Sequence, residues 1–156
     1  MGLCQNPQME VVARLIAMQG EEIGVTDWME ITQQRVDAFA EATGDHQWIH
    51  VDPLRAAEGP FGGTIAHGYL TLALTVPLAG QVELDVGEPK MAINYGLEKV
   101  RFPAPAPVGG RIRARVTLLA VSEVPGGIQV NRQVTMEVEG SEKPAMVAET
   151  VSRYYY

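Results

Sequence analysis

A chain of 156 residues, 46% apolar and 20% charged, is long enough to bury one ordinary core and too apolar to be disordered. Its net charge of −7 argues against a nucleic-acid backbone as the main partner, and no apolar stretch approaches the length of a membrane span. A single cysteine, Cys4, excludes an internal disulfide and favours a reducing, cytoplasmic setting.

In chain order, MEVVARLIAMQG (9–20) has helical spacing with Gly20 as its stop, so residues 1–20 are expected to form a helical extension of a single domain covering 1–156. Its apolar run is short and broken by Arg14, the first cation, unlike a secretory signal. ITQQRVDAFAEATG (31–44) predicts a second helix, with Thr32 as N-cap, an apolar stripe of Val36, Phe39 and Ala40, and Gly44 at the end. A short helix is expected over 52–59, capped by Asp52 with Pro53 at its first position. TIAHGYLTLALTVPLAG (64–80) has no Asp, Glu, Lys or Arg and is apolar or small on every side. A helix with no polar face is expected to be buried all round.

Four runs with period-two alternation follow. Met91, Ile93, Tyr95 and Leu97 alternate in the first, and Ile112, Ala114 and Val116 oppose Arg111, Arg113 and Arg115 in the second. Ile128, Val130, Val134, Met136 and Val138 line one face of the third, and AMVAETVSRYYY (145–156) is rich in strand formers. Turn-like VPGGI (124–128) and EGSEKP (139–144) join the last three into an antiparallel meander, and FPAPAPVGG (102–110) is a stiff connection. One buried helix before an antiparallel sheet implies an α+β hot-dog fold, a curved sheet wrapped around a central helix. Exposed sheet edges would be covered by pairing two copies, so a homodimer or higher homo-oligomer is expected.

Two of the three histidines fall in GDHQWIH (44–50), and the third is His67. Asp45 and His50 brought to one point can hold a water between them, the carboxylate taking one proton and the imidazole orienting or shuttling another. Taken singly, an Asp after a helix-ending Gly is ordinarily a turn residue. The AHG at 66–68 opens the central helix, where free amides of Gly68 or Tyr69 could polarise a carbonyl. Gly68 would let a ligand approach, or would allow close packing of the helix start on the sheet.

The segment FAEATGDHQWIHVDPLRAAEGPFGGTIAHGYLTL (39–72) resembles the hydratase-2 motif of MaoC-like (R)-specific enoyl-CoA hydratases, in wording nearest the subgroup that includes nodulation protein N. The resemblance implies Asp45 as the general base that activates water, His50 as the histidine sharing that water, and Gly68 as the amide that binds the thioester oxygen. It implies a hydro-lyase adding water reversibly to a trans-2-enoyl-CoA to give the (R)-3-hydroxyacyl-CoA, a reaction of fatty acid metabolism that needs no metal or organic cofactor. Two departures stand out. Gln47 and Trp48 replace the Asn-Pro of many members, with Trp48 placed to reshape the acyl pocket, and only Thr71 and Thr75 stand where some relatives use a serine.

Other readings remain. A metal site could draw on His46 and His50 at i, i+4 with Asp45, Asp52 and His67, but the bend expected before Pro53 and the absence of a nearby cysteine oppose it. An acyl-CoA thioesterase would want an acid on the central helix, and residues 64–80 have none. A non-catalytic acyl-CoA or lipid-binding module has no use for a carboxylate facing an apolar pocket. From Lys99 through Ser122 the chain has five cations (Lys99, Arg101, Arg111, Arg113, Arg115) and no acid. Coenzyme A phosphates could rest there, although a solvated strand face is the plainer reading of any one arginine.

Overall fold

The computed structural model describes residues 7–156. The start of the expected N-terminal extension, residues 1–6, lies outside the described residues. Helix α1 (Pro7–Ala17) leads into the short strands β1 (Glu22–Val25) and β2 (Met29–Glu30). Helices α2 (Gln33–Thr43), α3 (Trp48–Val51), α4 (Pro53–Ala57), α5 (Gly68–Ala73) and α6 (Thr75–Ala79) follow. The chain closes with strands β3 (Met91–Arg101), β4 (Arg111–Val124), β5 (Gly127–Val138) and β6 (Met146–Tyr155).

The six strands make one antiparallel sheet in the order β1-β4-β5-β6-β3, with β2 also paired to β4. The meander expected from the turn residues is present: β4 and β5 meet across Pro125-Gly126, where Gly126 takes φ +76°. A proline followed by a glycine at positive φ is what a tight turn of this kind needs. Alternation then sorts the faces. Ile112, Ala114, Val116 and Leu118 point into the core opposite Val134, Met136 and Val138, and Arg111, Arg113 and Arg115 point out.

The outward arginines do not await a ligand. Arg113 Nε and Arg115 Nε bond the two carboxylate oxygens of Glu137 at 2.7 and 2.8 Å, and Arg115 also reaches Glu22. Arg111 holds Glu139, and Lys99 holds Glu149 at 3.2 Å. Cross-strand pairing places acids beside these cations, as the register Arg113↔Glu137 and Lys99↔Glu149 shows. The acid-free segment was thus visible in sequence but not its neighbours on β5 and β6. Among the described residues, Arg101 is the one of the five without a carboxylate partner.

The central helix packs on the concave face through Leu70, Leu74 and Leu78. Burying such side chains stabilises the fold by roughly 2 kcal/mol each. Two features differ from expectation. The helix is broken into α5 and α6 around Leu74, because Pro77 has no N–H to return to the carbonyl of Ala73. Nor is it buried all round: Tyr69 is 73% and Val76 58% exposed, since one chain's sheet covers only one side. Met91, Tyr95 and Leu97 of the edge strand β3 are exposed with them. Helix α1 is more than an appendage, for Val12 and Leu15 join Leu118, Val121, Ile128 and Val130 in a second core cluster. No helix among the described residues is long and apolar enough to cross a membrane.

Candidate active site

Local chemistry sets the loop that carries Asp45. Thr32 caps α2 by accepting from the Arg35 amide, and Gly44 ends it at φ +77°, its N–H returning to the Ala40 carbonyl. This left-handed residue turns the chain so that Asp45 emerges at the helix end, where its carboxylate accepts from the Gln47 amide at 3.4 Å. One turn later His50 lies on α3, and Asp52 ends that helix and caps α4, its carboxylate accepting from the Arg55 amide at 3.0 Å. Asp52 is therefore a capping residue.

His50 is buried, and its Nδ1 lies 2.7 Å from the Ile65 carbonyl oxygen. A carbonyl only accepts, so the hydrogen-bond network assigns the proton to Nδ1 and leaves Nε2 bare when the ring is neutral. Burial pushes the His50 pKa below its ordinary 6.5, with the Ile65 bond opposing and His67 adding to the shift. His67 is also buried, its Nε2 3.0 Å from the Asp45 carbonyl oxygen, so it fastens the Asp45 loop to the start of α5. Its ring stacks on His50 with centroids 3.8 Å apart and lies 4.9 Å from Phe39.

The structure thus brings Asp45 and His50 together and adds His67, whose part the sequence left open. A carboxylate oxygen of Asp45 and one ring nitrogen of each histidine lie within 4.8 Å of one another. Two acceptors each ~2.8 Å from one tetrahedral water stand about 4.6 Å apart, so the spacing suits a shared water. It suits a metal ion less well. A metal bonds imidazole in the ring plane, and two stacked rings aim their lone pairs side by side and not at one point. His46 lies outside the cluster, exposed and 3.7 Å from Glu41.

A cavity of about 330 Å³ opens beside His50, walled by Phe61, Ala66, Gly68, Thr71 and Phe102. Trp48 is absent from this wall. It packs instead on Gly59, where an added methyl would lie 2.9 Å from its ring, with Arg55 stacked 4.5 Å above it. The expectation that Trp48 shapes the pocket is corrected accordingly. At Gly68 close packing accounts for the glycine: a Cβ would lie 3.2 Å from the Phe102 ring. The amides of Gly68, Tyr69 and Leu70 remain without intrahelical acceptors, as in any first turn. Thr71, on the cavity wall, donates its hydroxyl to the His67 carbonyl at 3.2 Å.

One residue escaped the sequence reading. Gln33, in the first turn of α2, donates to the His50 carbonyl at 2.8 Å and accepts from the Thr64 hydroxyl at 2.6 Å. It clamps α3 between α2 and the approach to α5. Nothing in the sequence marks a glutamine at a helix start for such a task.

Fold and site together define a hot-dog protein with a carboxylate–imidazole pair, of which His50 lines a part-apolar cavity. Residues 16–140 match the family described as MaoC like domain. The 3-hydroxyacyl-thioester dehydratase Z of Mycobacterium tuberculosis (strain ATCC 25618 / H37Rv) is 58% identical over 146 residues, 93% of this chain and 96% of that protein. Nodulation protein N of Rhizobium leguminosarum bv. viciae is 42% identical over 135 residues, covering 85% and 84% of the two chains. Among solved structures, an (R)-hydratase from A. caviae involved in PHA biosynthesis matches with a TM-score of 0.66 at 27% identity, covering 85% of this chain and 95% of that one. The chain belongs to the MaoC-like dehydratase family.

Proposed function

We propose that this protein is a hydro-lyase that interconverts trans-2-enoyl and (R)-3-hydroxyacyl thioesters, with coenzyme A as the thiol carrier. The reading is supported chiefly by the buried His50 ring, whose Nδ1 is held by Ile65 and one of whose nitrogens lies within 4.8 Å of an Asp45 carboxylate oxygen. Two acceptors take both hydrogens of one water and leave an oxygen lone pair for C3 of the enoyl chain. Asp45 removes a proton as the O–C3 bond forms, the C2=C3 electrons move onto the thioester oxygen, and the Asp45–His50 pair returns a proton to C2. The Gly68 amide stabilises the charge on that oxygen. The R configuration and the coenzyme A carrier come from the family resemblance and the names of relatives. Neither a metal nor an organic cofactor enters these steps.

Arg101, without a carboxylate partner among the described residues and next to Phe102 of the cavity wall, is the cation we assign to a coenzyme A phosphate. We also infer a homodimer, in a cytoplasmic setting consistent with the single cysteine, that covers the β3 edge and the outward side of the central helix. The test is the loss of enoyl-thioester ultraviolet absorbance on adding purified protein to crotonyl-CoA. Asp45→Asn and His50→Gln should each lower the rate roughly 100-fold or more. Turnover that survives both substitutions would remove the assignment, and thioester binding without turnover would favour a binding module.

A further inference from the structure

Along β5 the inward face is apolar at every second residue from Ile128 to Val138, with one exception. Arg132 falls in phase with Val130 and Val134, so its side chain enters the concave side of the sheet. A guanidinium placed among apolar residues is costly unless paired. Its partners are few: Nη2 donates to the Tyr154 hydroxyl, and the buried Nε has no hydrogen-bond partner among the described residues. The contrast with β4 is sharp, where Arg111, Arg113 and Arg115 each hold a glutamate.

Arg132 opens into a cavity of about 390 Å³ beneath α6, separate from the one beside His50. Among the described residues, no Asp or Glu lines it. Its floor is a polar stripe across three strands, for Arg132 pairs with Thr150 on β6, and the neighbouring Ser152 pairs with Asn94 on β3. The opposite wall, with Val76 and Val82, is apolar. One positive charge on a planar fork with no carboxylate beside it among the described residues, hydroxyl and amide groups next to it and an apolar wall opposite describe the complement of a monoanionic carboxylate with a hydrocarbon tail.

We propose that this cavity is a binding site for an apolar-tailed carboxylate, whose oxygens bond the terminal guanidinium nitrogens of Arg132 while the tail lies under α6. Two sources share that chemistry: a free fatty acid, and the far end of a thioester whose chain ends in a carboxyl group. Binding itself does not depend on the hydratase reading, because it is measured without turnover.

The experiment is calorimetric titration of the full chain with octanoate and with octanol. Octanoate should bind at least about 10-fold more tightly than octanol, and Arg132→Lys, which keeps the charge but loses the fork, should remove most of that preference. Ser152→Ala, a milder change on the polar stripe, should weaken octanoate without affecting octanol, and circular dichroism melts establish that both variants fold. Equal binding of acid and alcohol, no binding to the wild type, or a preference untouched by both variants would each overturn the proposal. The source is read separately from hydration of a 2-enoyl-CoA with and without a terminal carboxyl. An Arg132→Lys loss of kcat/KM confined to the carboxylated chain identifies the substrate's own tail, and unchanged rates with weakened octanoate identify the free acid.

Discussion

The imidazole of His67 lies flat on that of His50, ring centroids 3.8 Å apart and planes inclined by 25°. The same ring bonds the Asp45 carbonyl oxygen at 3.0 Å, so one side chain touches both members of the proposed acid–base pair. His67→Phe keeps an aromatic face for stacking and deletes that bond. It should lower kcat with crotonyl-CoA by about 10- to 100-fold, since small misplacements of reacting groups cost that much. An unchanged kcat would reduce His67 to a packing residue.

The lowered pKa of His50 gives a pH dependence with a definite sign. Activity requires the neutral ring, so the acid limb of kcat/KM should lie below the ordinary 6.5, with a level rate above it. Stability follows the same group. The unfolded chain binds more protons than the folded one between the lowered value and 6.5, so stability falls as pH drops through that window and is level above it. An acid limb centred above 6.5 would contradict the burial argument.

Glu137 sits between Arg113 and Arg115, and the bond from Arg115 holds its carboxyl below the usual 4.5. Glu137→Gln should destabilise the fold at neutral pH by about 1 kcal/mol or less, the range for partly exposed pairs. A carboxylate with a depressed pKa stabilises above 4.5 and loses that contribution as pH falls through its folded value. The gap between wild type and variant in urea melts should therefore close in acid and narrow in high salt.

Gly68 and Phe102 should behave as a coupled pair. Gly68→Ala forces the Phe102 ring to move, since the new methyl would lie 3.2 Å from it. Both residues wall the cavity, so KM should rise. Phe102→Leu on top of Gly68→Ala should restore part of the loss, and additive effects in the double-mutant cycle would rule out the contact as the cause.

Val76, 58% exposed on α6, tests the assembly. Val76→Arg puts a charge into the inferred interface and should shift light-scattering mass from dimer toward monomer. A dimer that persists at low concentration would place the interface elsewhere.

Much of the fold is legible in the sequence because its signals are local. Thr32, Gly44 and Asp52 act through neighbours a few residues away, and alternation in β4 and β5 reports which face is buried. What escaped depends on distant partners. β1 and β2 are four and two residues long and owe their conformation to β4. The arginines of β4 seemed unpaired because their glutamates lie on other strands. Gln33 reaches Thr64 across 31 positions, and Trp48 turns away from the cavity because Gly59 makes room for it. The nearness of Asp45 and His50 was legible because they lie five residues apart, whereas the stacking of His67 required the fold to close.

The clamp made by Gln33 also separates two tasks along the chain. Residues 33–68 carry the proposed acid–base groups and the hydrogen bonds from Gln33, Ile65 and His67 that hold them. Much of the remaining cavity wall is supplied from far downstream, by residues 102–106 and 145. On the proposed reading, chemistry and substrate preference are therefore written on different stretches of backbone. Substitutions at 102–106 or 145 would then resize the space for the substrate chain while leaving the proton-handling segment in place.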